Sequence, residues 1–117
     1  MQTGNGFKDR RHLAFIAALP CCVCGTTPVE CAHIRFGDAA SGKAQALAKK
    51  PSDHWVLPLC PRCHRTGPGA QHSQNERAFW ERHRIDPVKL ATLLFECSGD
   101  LEHGEVIARQ SRRLACW

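Results

Sequence analysis

Cys21-x-x-Cys24 and Cys60-x-x-Cys63 each hold two thiols at the spacing that lets one turn aim both sulfurs at a single ion. Two such turns supply the four thiolates of a closed, tetrahedral zinc site. Gly25 follows the first pair and Pro61 lies inside the second, which is the turn chemistry such knuckles use. With every coordination position taken by protein, a site of this kind stabilises the fold and does no chemistry. In a small domain that contribution is large, because binding structural zinc is itself folding free energy. The other cysteines, Cys22, Cys31, Cys97 and Cys116, read as small apolar packing residues.

His64 stands directly after the second pair, where a four-cysteine site has no need of it. Consecutive residues point in different directions, so Cys63 can face the zinc while His64 faces elsewhere. Further candidates surround it in the sequence: His33 in AHI, Asp53 and His54 in SDHW, and His72 in AQHS. A neutral imidazole with an unperturbed pKa near 6.5 can take a proton from water at pH 7 or bind a divalent cation.

The chain that must position these groups has 117 residues, enough for one domain with a modest core. Hydrophobic residues at 43 % and charged ones at 23 % make a globular composition. The net charge of +5 leans towards an anionic partner. Four thiolates on one zinc would carry about −2, which weakens that lean. Residues 8–19, KDRRHLAFIAAL, superficially resemble a signal peptide. The apolar run from Leu13 to Leu19 is only seven residues, however, and Pro20 spoils the cleavage pattern. No stretch approaches a membrane span. The expected location is cytoplasmic, with reduced thiols available to a metal and no membrane partner.

Asp9 to Leu19 fits a helix with Leu13, Ile16 and Ala17 inward and Phe15 to one side, ended by Pro20. A short strand is expected at about Val29 to Phe36, and a second in HWVLPL, which delivers the chain to Cys60. Ser73 with Glu76 reads as a capping box opening a helix through QNERAFWERHR, with Phe79, Trp80 and His83 on its inner side. Asp86-Pro87 is a second helix start, N-cap then first turn, for VKLATLLFEC, closed by Gly99. Residues 101–117 read as a last helix.

Taken together, AHI (Ala32-His33-Ile34), SDHWVLPLC and CPRCH ending at His64 resemble the HNH endonucleases of the ββα-metal type, in their zinc-stapled branch. The nearer resemblance is to phage and prophage HNH proteins related to the recombinase-dependent nuclease. It rests on CxxCG, AHIR, PLCxxCHR, a downstream histidine and ERAFWERHRIDP, and it covers about residues 13–95.

The resemblance implies an α+β fold occupying 1–117 as one nuclease domain. A small ββα-metal core at about 20–85 carries the four-cysteine zinc, flanked by an N-terminal helix and by C-terminal helices at about 86–117. The implied activity is metal-dependent hydrolysis of DNA phosphodiesters with low sequence specificity. His33 would be the general base, His64 a metal ligand and His72 a second one, with Mg²⁺, Mn²⁺, Ni²⁺ or Zn²⁺ as the catalytic ion. Asp53 would either orient His33 or complete the metal shell; His54 would do either, or stack in the groove. Arg35, Lys43, Lys49, Lys50, Arg62 and Arg65 flank the site as candidates for phosphate contact. DNA is the implied partner, with a recombinase filament or another phage DNA-processing protein beside it.

In this family the residue before the base is commonly an acidic or histidine ligand, and here it is Ala32. That departure argues for the alternative, a non-catalytic zinc-bound module that binds nucleic acid or protein. An RNA-binding zinc knuckle fits less well, because the aromatic residues fall at helix positions and not on a platform.

Overall fold

Asp9 starts the described helical structure by accepting the His12 N–H on its own Oδ1 at 3.0 Å. The computed structural model describes residues 8–37, 52–73 and 75–115. Among these, the elements are α1 (Arg10–Ala17), β1 (Glu30–His33), β2 (Val56–Leu59), α2 (Glu76–Arg82), α3 (Pro87–Glu96) and α4 (Leu101–Ala115). A π-helical turn over Arg62–Thr66 and a 3-10 turn over Gln71–Ser73 link β2 to α2. This is an α+β fold. No described helix is long and apolar enough to cross a membrane.

The inner face of α1 is His12, Phe15 and Ile16, continued by Leu19, an i, i+3, i+4, i+7 stripe. The expected stripe of Leu13, Ile16 and Ala17 is rotated: Leu13 is half-buried and Ala17 exposed. His12 draws the helix round, because its Nδ1 lies 2.8 Å from Ser98 Oγ and its ring meets Phe95 edge-on at 4.9 Å.

β1 and β2 pair antiparallel, with Glu30 opposite Leu59, Cys31 opposite Pro58, Ala32 opposite Leu57 and His33 opposite Val56. The first strand is shorter than Val29 to Phe36, although Ile34 N–H still reaches Trp55 O at 2.9 Å. β2 is buried along its whole length, with α1 and α3 packed against it, so both faces of the strand are apolar. Pro58 can stand in this strand because in a two-stranded sheet both strands are edges, where a missing N–H is tolerated; its carbonyl accepts the Cys22 N–H at 3.0 Å and so holds the first cysteine turn against the sheet.

The N-cap of α2 is not Ser73. Ser73 ends the 3-10 turn, and Asn75 is the N-cap of α2, its Oδ1 accepting the Ala78 N–H at 3.1 Å. Glu76 therefore becomes the first helical residue, and its carboxylate is released for other partners. Phe79 and Trp80 are buried in the core as expected, while His83 is half-buried.

α3 begins as read from Asp86-Pro87, with Asp86 Oδ1 accepting the Lys89 N–H at 3.1 Å. It ends at Glu96, and Gly99, at φ +94°, serves the turn into α4 and does not close the helix directly. α4 crosses α1 at Gly104, where a Cβ would stand 2.7 Å from Phe15 Cζ and 3.0 Å from Leu19 Cδ2.

Candidate functional site

The two Cys-x-x-Cys turns meet as their spacing predicts. Cys60 leaves the end of β2, and the first turn is folded by Cys21 N–H to Thr26 O (3.0 Å) and Gly25 N–H to Cys21 O (2.9 Å). Gly25 has φ +81°, a backbone state that side chains disfavour. The sulfurs of Cys21, Cys24, Cys60 and Cys63 all lie within 4.8 Å of one another, and these are the residues able to gather round one metal ion among the described residues. Zinc with bonds of about 2.3 Å would set tetrahedral sulfurs about 3.8 Å apart. Cys24 Sγ is 3.5 Å from Cys60 Sγ and 3.8 Å from Cys63 Sγ, so the cage fits that ion.

The same crowding shows in the thiol acidities. An S–H from Cys63 holds Cys21 down to about 4, while sharing that proton drives Cys63 far upward. Burial raises Cys24. Four thiolates cannot ionise together in this space without a cation between them. Outside the cage, burial pushes the Cys22 thiol well up, as befits a core residue. Cys31 and Cys97 donate to the carbonyls of Leu13 and Leu94. Cys116 lies outside the described residues.

His64 belongs to different surroundings. In the π-helical turn successive side chains point in different directions, and His64 N–H is fixed on Cys60 O at 2.9 Å. The ring leaves the sulfurs, and its Nδ1 meets Glu30 Oε1 at 2.7 Å. Glu30 also takes Arg65: Nη2 to Oε2 at 2.6 Å, and Nε to the two oxygens at 3.0 and 3.2 Å. Arg65 first, and His64 second, hold the Glu30 carboxyl down to about 2. The His72 ring stands edge-on to His64 at 4.3 Å. Burial, then the nearby His64 and Arg35, lower the pKa of His72 and so favour its neutral form.

Along the other wall, Cys31, His33 and Arg35 alternate onto one side of the chain, while the fully buried Ala32 and Ile34 take the core side. Two adjoining hollows share His33, Arg35 and His72; one extends to Gln71 and Glu76, the other to Leu13, Cys31 and His64. His33 Nε2 lies 2.9 Å from Asp53 Oδ1, and Asp53 Oδ2 accepts the Asp9 N–H at 2.9 Å. A carboxylate only accepts, so in the neutral ring Nε2 carries the proton and Nδ1 the lone pair.

The structure thus brings His33, His64 and His72 to one cavity and sets Asp53 against His33. Asp53 forms no ligand cluster with His64 and His72 among the described residues. His54 goes elsewhere. Its ring is stacked between Trp55 (4.1 Å) and Phe95 (4.2 Å), buried, with neither nitrogen hydrogen-bonded, and burial lowers its pKa. The expected catalytic role of His54 gives way to core packing, because its ring is held between two aromatic side chains.

Of the cationic candidates, Arg35 is exposed at the cavity and Arg62 is exposed on the π-helical turn. Arg65 is engaged by Glu30. Lys43, Lys49 and Lys50 lie outside the described residues.

Glu30 and Glu76 were not singled out from the sequence. Glu76 fastens α2 to the His33 wall by accepting Arg35 N–H at 3.1 Å, Gln71 Nε2 at 3.0 Å and Trp80 Nε1 at 3.3 Å. Its only local signal was the capping-box spacing. Glu30 had a weak signal: it stands three residues before His33, beside the cysteine pattern.

No family model, curated protein or solved structure matches the chain. The functional reading therefore rests on the chemistry of the site.

Proposed function

We propose that this chain is a metal-dependent endonuclease of the HNH kind, hydrolysing DNA phosphodiester bonds with low sequence specificity. The observation that carries this reading is the convergence of three histidines on one cavity, two of them backed by carboxylates: His33 by Asp53, and His64 by Glu30. The four-cysteine cage a turn away supplies rigidity and no open position.

In this reading His33 Nδ1 takes a proton from the attacking water. The water oxygen bonds to phosphorus, the bond from phosphorus to the 3′-oxygen breaks, and the departing oxygen leaves on the opposite side. Asp53 keeps the ring in the required tautomer and stabilises it once protonated. His64 and His72 are the residues that would hold a divalent ion, Mg²⁺, Mn²⁺, Ni²⁺ or Zn²⁺. Bound there, the ion would stabilise charge on the leaving oxygen. Arg35 at the cavity and Arg62 beside it suit the flanking phosphates, and the net charge of +5 favours a polyanion. A recombinase filament or another phage DNA-processing protein is the partner class this reading carries with it.

The test is incubation of the zinc-loaded protein with supercoiled plasmid under a panel of divalent metals. Wild type is expected to nick or linearise the plasmid. His33→Ala should keep the fold and the zinc but lose about 10²–10⁴ in rate, the usual worth of a general base. Equal cleavage by the two proteins removes His33 from the mechanism.

One observation favours a second reading, a zinc-bound module that binds without cutting. Position 32, where related nucleases commonly carry a ligand, is a fully buried alanine, leaving two protein ligands at the proposed centre. Binding of plasmid without cleavage by any metal supports that reading.

A further inference from the structure

We infer that Glu30 is the positioning residue of the open metal centre: it fixes the tautomer and direction of His64 so that Nε2 faces the ion. The inference rests on the reading of His64 as a metal ligand. The strand register makes the contact possible. Glu30 is the first residue of β1 and pairs with Leu59, the last of β2, one residue before the chain turns through Cys60 into the π-helical turn that carries His64. The carboxylate therefore arrives at His64 from across the sheet.

At 2.7 Å from a group that can only accept, Nδ1 is the nitrogen that carries the proton in the neutral ring, and the lone pair is then on Nε2. Arg65 approaches the same carboxylate with both Nε and Nη2, which holds the Glu30 side chain in one orientation. The result is a relay of Arg65, Glu30 and His64 ending edge-on to His72 at 4.3 Å.

A purely structural ion pair would account for Arg65, whose side chain is 52 % exposed. It does not account for the His64 leg. That ring is only 12 % exposed, and its backbone is already anchored on Cys60 O. Glu30 thus stands to His64 as Asp53 stands to His33: a carboxylate behind each imidazole, on opposite walls of one cavity.

The experiment is calorimetric titration of the full-length, zinc-loaded protein with Ni²⁺, with zinc content and circular dichroism checked for each variant. Wild type should bind one weakly held Ni²⁺, and His64→Ala should lose it. Glu30→Gln should weaken Ni²⁺ binding by about 10–100-fold, the usual cost of removing such an outer partner. Glu30→Asp should recover part of the loss. Arg65→Ala should weaken Ni²⁺ binding less than Glu30→Gln does, because its pair with Glu30 is exposed.

Wild-type Ni²⁺ affinity in Glu30→Gln, with binding lost in His64→Ala, overturns the inference and leaves the ligand reading standing. Wild-type affinity in His64→Ala overturns the ligand reading, and the inference with it. Should Glu30→Gln lose its zinc or its fold, the His64 ring nitrogens of the wild type are read by ¹⁵N NMR. The Nδ1–H tautomer upholds the inference and the Nε2–H tautomer overturns it.

Discussion

Four sulfurs crowd within 4.8 Å of one another at one end of the sheet, while three histidines are spaced round an open cavity beside them. The two groups are neighbours in sequence to the point that Cys63 and His64 are adjacent, yet they are stabilised in opposite ways. Thiolates repel, so the cage needs a cation at its centre to exist in its ionised form. The histidines carry no such requirement: His33 and His64 are each held by a carboxylate, Asp53 and Glu30. The cage is thus a cluster that only a cation would hold in its ionised form, whereas the histidines are held by hydrogen bonds that the protein itself supplies.

The sharpest way to break this contrast is to remove one sulfur. Cys60→Ser should abolish zinc retention and cooperative unfolding, since structural zinc sites are worth about 10–16 kcal/mol of apparent binding energy. Cys97→Ser, outside the cage, should change little. Elemental analysis and a thermal melt check both, and a zinc-free protein that melts as wild type does would refute the cage as a structural element.

The converse substitution probes the open centre. His64→Ala should abolish plasmid cleavage, a loss of at least about 10²-fold for a centre that acts through its metal. The tight zinc and the melting temperature should be nearly unchanged. Loss of zinc from this variant would merge the two sites into one.

A smaller effect tests whether the helical frame behaves independently of both. Gly104→Ala should destabilise by about 1–3 kcal/mol through overpacking against Phe15 and Leu19. Urea unfolding measures it, and zinc content should not change.

The smallest effect is a slope with pH. His12 and His54 are buried, and burial chiefly lowers both pKa values below the ordinary 6.5. Below that value the unfolded chain binds protons that the folded one refuses, so stability is level above about pH 6.5 and falls as the pH drops below it. His54→Phe, which keeps the stack on Trp55 and Phe95, should flatten part of that fall. An unchanged slope would mean that His54 does not contribute to it.

The cage was fully legible in the sequence because its information is local: two Cys-x-x-Cys spacings with the right turn residues. The helix start at Asp86-Pro87 was legible for the same reason. The open centre was legible in its histidines but not in its supports. Glu30 reaches His64 across the strand register, and no spacing along the chain encodes that contact. His54 was misplaced because a histidine beside an acidic residue looks the same whether it faces a groove or an aromatic stack. Ser73 lost its cap to Asn75 because a 3-10 turn, set by packing, consumed the residues before the helix.

One carboxylate joins the frame to the chemistry. The N-terminal end of α1 lacks the reciprocal half of a capping box, since its third residue, His12, is buried in the core. Asp53 supplies that half from 44 residues away by accepting the Asp9 N–H, and the same side chain aims His33. The direction of the His33 ring is therefore tied, through Asp53, to the N-terminal end of α1. A chain in which α1 had not seated would lose Leu13 from the cavity wall and, with the Asp9 N–H, one of the contacts that hold Asp53 against His33.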